Sequence, residues 1–196
     1  MKNLFPAFIA LAAMCYMMLS CKQEQGFSYD RQTWKDSTEY AFVNVTLELP
    51  EGSSPVPTAI RRHLAGVMEK QTSDICEQAA LKEIDPTATT ADIAAHLGQY
   101  IATAFEKESR EMNRIRKETS PEAAAMPIIP YCAEVSLTKE YETAKYVVFH
   151  STASIYMGGA HPFETGAGHL TYALSDGALL TQVLDSARIV DLQPLL

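Results

Sequence analysis

The sequence predicts an α+β domain, with an antiparallel sheet and two helices packed on one face. Three observations point to this class. One alternating apolar segment comes first, two segments with helical periodicity follow it, and several further alternating segments come last. Strands and helices that occur in separate runs favour helices segregated onto one face of an antiparallel sheet. A chain of 196 residues has room for one such domain.

The first half of the chain supplies one strand and both helices. In FVNVTLELP (residues 42–50) every second side chain is apolar, which predicts a half-buried strand that ends at Pro50. Helical spacing takes over after Pro57, with the stripe Ile60, Leu64, Val67 and Met68. A longer helix begins at Thr90 or Asp92, one of which would cap it. Its later turns, EKESREMNRIRKE, are charged nearly all round and are expected to project over the surface.

The second half predicts strands. Two long alternating segments, YCAEVSL and YVVFHSTASIY, are joined by a short link through Glu142 and Thr143, which predicts an antiparallel hairpin. A third alternating segment contains Leu170 and Tyr172 and leads to a tight turn at Asp176 and Gly177. The remaining tail is compatible with a short helix or a strand.

The N-terminus has the pattern of an export signal. A short basic start, MKN, precedes an apolar run that is short for a membrane span and long enough for a signal-peptide core. The run ends in MLSC, which looks like a lipobox with Cys21 as the lipidated residue. The alternative is ordinary secretory cleavage near Ser20. We therefore predict a signal peptide over residues 1–20, a lipidated tether over 21–40 and one α+β domain over 41–196.

This organisation predicts a cell-envelope lipoprotein, anchored to the outer membrane on its periplasmic or surface side. Removal of residues 1–20 takes away Lys2 and no acidic residue, so the formal charge becomes 15 − 24 = −9. An acidic chain argues against binding nucleic acid. The charge is compatible with a cationic partner, and equally with solubility alone.

Two cysteines remain after Cys15 and the lipidated Cys21 are set aside. In an oxidising compartment Cys76 and Cys132 could form a disulfide, and the alternative is two free thiols that behave as small apolar side chains. Their spacing predicts no metal site, because the chain contains no CxxC pair.

The loop YMGGAHPF (residues 156–163) concentrates unusual residues at the end of a strand. Its two glycines permit a sharp turn, and Pro162 fixes the exit, which together predict a structural turn. Two chemical alternatives stay open. His150, His161 and His169, with Glu164 nearby, could bind zinc, although their spacing matches no common zinc motif. The backbone N–H groups of Gly159 and Ala160 could also bind an anion.

The segment IYMGGAHPFETGAGHLTYALSDGALL resembles the Tyr-x-Gly-Gly-Ala-His signature of the RsiV-like family, whose C-terminal unit is domain of unknown function 3298. The resemblance covers residues 130–196, and more loosely the chain from Phe42 onward. Many members of that family are lipoproteins of Gram-negative gut bacteria. The family's domain normally continues past a segment similar to IVDLQPLL, so the resemblance implies that this chain is truncated or is a shortened member.

The resemblance implies a binding role. Its best understood members bind lysozyme in the envelope, and other relatives are attached to polysaccharide deacetylase domains, a module that nothing here resembles. We expect a non-enzymatic, cofactor-free interaction module whose partner is a lysozyme-like protein or a cell-wall glycan. The expected binding residues are in the loop: Tyr156, Gly158, Gly159, Ala160 and His161. The alternatives are a metal-dependent hydrolase that uses His150, His161 and His169, and a structural lipoprotein without a specific ligand.

Overall fold

Two helices lie on one face of a five-stranded sheet in the computed structural model, which describes residues 27–76, 83–119, 122 and 125–181. The elements in chain order are β1 (Tyr29–Ser37), β2 (Ala41–Pro50), α1 (Pro55–Ile75), α2 (Thr90–Thr119), β3 (Tyr131–Glu142), β4 (Tyr146–Tyr156) and β5 (Phe163–Ala173). The predicted signal peptide, Cys21 and the tail beyond Thr181 lie outside the described residues. The α+β prediction is confirmed.

The strands follow one another across the sheet in the order β1-β2-β3-β4-β5. All neighbouring pairs are antiparallel except β2 and β3, which are parallel. Both helices lie in the connection between β2 and β3, and a parallel pair requires a long connection of this kind. The predicted hairpin around Glu142 and Thr143 is present as β3 and β4. The sheet was predicted to be antiparallel, and the parallel pairing of β2 with β3 was not predicted.

Alternating side chains of the central strands form the core beneath the helices. Val45, Val135 and Ala153 are aligned across β2, β3 and β4, and each is at most 2% exposed. Helix α2 contacts both β1 and β2. The closest approach is at Gly98, where a Cβ atom would overlap the ring of Trp34 on β1. This glycine therefore lets the helix lie directly on an aromatic ring.

Strand β1 corrects the prediction of a tether over residues 21–40. Residues 29–37 pair with β2 along the full length of the strand, from Tyr29 opposite Pro50 to Ser37 opposite Phe42. The alternation is weak because β1 lies at the edge of the sheet and carries polar residues on both faces. The domain therefore begins before residue 41.

The start of α2 is fixed by Thr89 rather than by Thr90 or Asp92. The Thr89 hydroxyl accepts a hydrogen bond from the Asp92 backbone N–H at 3.1 Å and donates to the Asp92 carboxylate at 2.7 Å. The bond from the Asp92 N–H makes Thr89 the N-cap residue, and the Asp92 carboxylate holds the capping hydroxyl in place. Among the described residues, no helix combines the length and the apolar character needed to cross a membrane.

Candidate binding site

The loop between β4 and β5 turns the chain at one end of the sheet. Ile155 pairs with Phe163, so residues 156–162 form the connection. Gly158 has φ +84°, a left-handed conformation that favours glycine, whereas Gly159 has no positive φ. Residues 157–163 are exposed, and His161 Nδ1 lies 3.0 Å from the backbone oxygen of Pro162. The predicted structural turn is therefore present, and only one of its two glycines is required by backbone geometry.

The predicted binding residues do not converge on one point. The register places Tyr156 beside Cys132, and Cys132 beside Phe42, on the face of the sheet that the helices leave uncovered. Gly158 instead borders a groove on the helix side. Gly159, Ala160 and His161 are exposed in the loop and are not among the residues that line this groove. The loop thus stands at the corner between two surfaces.

The groove separates the loop from the C-terminal half of α2. Its volume is about 370 Å³, and its walls include the side chains of Met112, Ile115, Ile129 and Met157. Met112 is 52% exposed, Ile115 41% and Met157 40%, which makes these side chains unusual among the large apolar residues of the described chain. Exposed apolar side chains that cluster beside polar ones, here Asn113, Arg116 and Thr119, are typical of an interaction site.

One wall of the groove is held by Asn113, a buried side chain on α2. Its Nδ2 atom donates to the Ile129 backbone oxygen at 3.1 Å, and its Oδ1 atom accepts from the Ile129 N–H at 3.1 Å. The Ser109 hydroxyl donates to the same oxygen at 3.0 Å. These contacts fix the proline-rich segment 127–130 against the helix. The later turns of α2 were predicted to project over the surface. One side of them does not, because Ser109 and Asn113 are buried beneath that segment.

Arg116 supplies the cationic edge of the groove. Its Nη2 atom donates to the Pro127 backbone oxygen at 2.6 Å, and its Nε atom is buried without a hydrogen-bond partner. The neighbouring arginines of α2 differ, because Arg110 pairs with Glu106, and Arg114 pairs with glutamates on both sides of it along the helix. Within the described chain Arg116 has no carboxylate at ion-pair distance. The groove therefore offers a guanidinium that is free to bind an anion.

The three-histidine metal site is wrong. His150 and His169 are paired in the register and stack with ring centroids 4.4 Å apart, and His169 Nε2 lies 2.9 Å from the Glu140 carboxylate. His161 lies in the loop beyond the end of β4, roughly 20 Å from His150, because six residues at about 3.3 Å each separate His150 from Tyr156. In the part of the chain that the structure describes, no group of three or more histidine, cysteine, aspartate or glutamate residues could hold a metal ion.

Of the two alternatives that the sequence left open for Cys76 and Cys132, a disulfide or two free thiols, the structure has two free thiols. Cys76 is buried in the core next to the helices. Cys132 alternates with the inward-facing Tyr131 and Ala133, so it points to the opposite face of the sheet. Burial raises the pKa of Cys76 to about 12, with a smaller contribution from Glu108, and burial also raises the pKa of Cys132. Both thiols are therefore protonated at neutral pH.

The comparison with protein families decides the membership of this chain. The model of the family described as Deacetylase PdaC matches residues 37–164, which is 128 of the 196 residues. The chain belongs to the Deacetylase PdaC family. This PdaC match runs from the end of β1 to the start of β5 and includes the groove and the loop. No curated protein matches the chain.

Two solved structures resemble this PdaC-family chain. A DUF3298 family member from Bacteroides fragilis has a TM-score of 0.60 at 12% identity, over 85% of this chain and 66% of its own. A DUF3298 family protein from Pseudomonas aeruginosa PAO1 has a TM-score of 0.48 at 10% identity, over 87% of this chain and 65% of its own. The chain thus spans just under two thirds of either structure. At these identities the first likeness shows the fold alone.

The family findings confirm the predicted resemblance to domain of unknown function 3298. The part of the resemblance specific to RsiV stays a prediction. Two features were missed from the sequence: the groove itself, and the role of Asn113 in forming it. The available signal was a pair of apolar residues, Met112 and Ile115, three positions apart in a charged helix, followed by PIIP. Such a pair indicates a contact that the nearby helix turns do not supply.

Proposed function

We propose that this chain is a non-catalytic binding module of the cell envelope, and that it holds its partner in the groove between the β4–β5 loop and α2. The observation that carries the proposal is the concentration of exposed apolar side chains there, namely Met112, Ile115 and Met157. Water contact with these side chains is unfavourable, and a partner that covers them gains the free energy of their burial. Methionine side chains also adapt their shape to different partners.

A protein partner fits an apolar groove of this kind. The net charge of −9 after removal of residues 1–20, calculated above as 15 − 24, would attract a cationic protein from a distance. A lysozyme-like protein is the first candidate, in agreement with the resemblance stated from the sequence. The lipid anchor at Cys21 would hold the module at the outer membrane, on its periplasmic or surface side.

A cell-wall glycan is the second candidate, and the uncovered face of the sheet favours it. Hydroxyl side chains line this face, with Thr33 Oγ1 3.1 Å from Thr46 Oγ1 and with Ser136 and Thr152 in the same register row. Tyr156 stands at the end of the face next to the loop. A row of hydroxyls beside an aromatic ring suits a sugar chain, which presents hydroxyls and apolar C–H faces together.

The test is calorimetric titration of the chain from Lys22 onward with a c-type lysozyme and with soluble wall-glycan fragments. We expect saturable one-to-one binding of lysozyme that persists at physiological salt. Met112→Ser combined with Met157→Ser should abolish it, whereas Met126→Ser should not, because Met126 is 56% exposed but does not line the groove. Glycan binding that is lost in Tyr156→Ala would favour the second candidate.

Three results would contradict the proposal. Binding that disappears when salt is added would show that net charge alone is responsible, since salt screens exposed charges over about 8 Å at physiological ionic strength. Release of acetate from N-acetylated wall fragments would assign a catalytic activity instead. An absence of heat with both lysozyme and glycan would favour the alternative of a structural lipoprotein without a specific ligand.

A further inference from the structure

We propose that the groove takes a polypeptide segment of the partner in which large apolar side chains flank a carboxylate. This inference rests on the proposed function and names the chemistry of the partner at that same site. Three features of the groove carry it: an unpaired guanidinium, exposed apolar walls, and main-chain groups without hydrogen-bond partners.

The guanidinium of Arg116 selects for an anion. Among the described residues it has no carboxylate partner, and its buried Nε has no acceptor. The Nε atom is buried, so a ligand in the groove would bind the terminal nitrogens of the guanidinium, where an anion gains a charge-assisted hydrogen bond. A carboxylate can accept from two guanidinium N–H groups at once, in a geometry that neutral acceptors match poorly.

The walls of the groove select for apolar side chains on either side of that carboxylate. Met112 and Ile115 precede Arg116 on α2, and Met157 faces them from the loop. A volume of about 370 Å³ lies at the lower end of the range for ligand pockets, and it suits a few side chains rather than a whole folded surface. A purely charged ligand would leave these walls exposed to water.

Main-chain chemistry favours a polypeptide over an acyl chain that ends in a carboxylate. The backbone groups of Gly158, which borders the groove, make no hydrogen bond within the described chain, and neither do those of Gly159, which follows it in the loop outside the groove. A peptide can pair with such groups through its own N–H and C=O, as segments that add to a sheet margin do. An acyl chain has no groups of this kind, so it would leave them to water.

The experiment follows the methionine methyl signals of the chain from Lys22 onward by NMR. The probe is a capped peptide, acetyl-Leu-Glu-Leu-Leu-amide, and its matched control replaces the glutamate with glutamine. We expect saturable shifts at Met112 and Met157 but not at Met126, and an affinity for the glutamate peptide about tenfold higher than for the glutamine peptide. Arg116→Gln should remove this preference, and Arg114→Gln, which removes the same charge outside the groove, should keep it.

The inference is overturned if the shifts at Met112 and Met157 do not saturate, or if the wild-type chain binds both peptides equally. This wild-type comparison stays decisive if Arg116→Gln fails to fold. A second outcome would also overturn the inference. If deletion of residues 182–196 changes the Met112 and Met157 signals of the chain without peptide, the groove is occupied by the chain's own C-terminal segment. The lysozyme and glycan titrations separate the two claims. Partner binding without peptide binding rejects only this inference, whereas loss of both rejects the proposed function as well.

Discussion

Asn113 and Ile129 are joined by a reciprocal pair of hydrogen bonds, both 3.1 Å long, in which a side-chain amide satisfies both backbone groups of one residue. The amide pairs with the N–H and the C=O of Ile129 in the way that the backbone of a neighbouring strand would. Prolines at 127 and 130 flank Ile129 and contribute no backbone N–H. The segment that forms one wall of the groove is therefore attached to α2 through Asn113, Ser109 and Arg116.

We expect Asn113→Ala to destabilise the fold and open the groove. The substitution leaves the Ile129 N–H without its partner and weakens the hold on the oxygen, at an expected cost of about 2–3 kcal/mol. Urea unfolding of the chain from Lys22 onward measures this change. Glu111→Ala is the matched control on the exposed side of the same helix, where loss of its solvent-screened ion pair with Arg114 should change stability much less than Asn113→Ala does. Equal effects of the two substitutions would contradict the assigned role of Asn113.

Two glycine substitutions should have opposite effects. In Gly98→Ala the new methyl group overlaps the Trp34 ring, so α2 must move away from β1. We expect the free energy of unfolding to fall by about 1–3 kcal/mol. Gly66→Ala lies in α1 with no atom within 4 Å of the new Cβ, and it should gain about 0.5–1 kcal/mol from helix propensity. Thermal melts compare the two variants. A stabilising Gly98→Ala would mean that Trp34 does not lie on α2.

The hydroxyl of Tyr172 lies 2.6 Å from His63 Nδ1 and links β5 to α1. Tyr172 is fully buried, and burial raises the pKa of its hydroxyl. Tyr172→Phe removes the hydrogen bond with little change in volume, so we expect a loss of about 1 kcal/mol. A double-mutant cycle with His63→Ala isolates the pair. Additive effects of the two substitutions would show that the contact does not contribute to stability.

The two cysteines should both be free and protonated at neutral pH. In the chain from Lys22 onward, which keeps only these two cysteines, a thiol reagent at pH 8 should react slowly with the partly exposed Cys132 and not with the buried Cys76, and after denaturation it should react with both. The unfolded thiol of Cys76 loses its proton near pKa 9.0, whereas the folded one keeps it until about 12. Stability from this proton is therefore complete below pH 9 and is lost between pH 9 and 12. Absence of titratable thiols after denaturation would restore the alternative of a disulfide.

Much of the fold follows from periodicity, because buried and less buried side chains alternate along β4, along β2 up to Leu49, and over residues 131–138 of β3. Strand β1 escaped prediction because it is an edge strand that is polar on both faces, so its place depends on pairing with β2 and on the contact between Trp34 and Gly98. The parallel register of β2 and β3 could not be predicted either, since it depends on where the helices return the chain.

The site was only partly predictable, for a similar reason. The turn could be predicted from Gly158 and Pro162, because both residues restrict the backbone locally. The groove depends on α2 and the loop meeting across roughly 40 residues of chain, from Arg116 to Met157. In the sequence, nothing distinguishes Asn113 from any other polar residue of a helix. Its role can be seen only in the structure, where Ile129 lies beside it. The histidines show the converse: His161 and His169 are close in sequence, but His161 lies in the loop before β5 and His169 lies in the middle of that strand.

The most direct test of the groove compares methionine oxidation in the cells that produce the protein with oxidation of the purified chain. Exposed thioethers are oxidised to sulfoxides at rates that follow their accessibility, and a bound partner slows the reaction. Dilute peroxide followed by mass spectrometry gives the rates at Met112 and Met157 relative to Met126, the exposed methionine outside the groove. We expect both groove methionines to be protected relative to Met126 in the cells and not in the purified chain. Equal relative rates in the two samples would mean that the groove carries no partner, and would contradict the account.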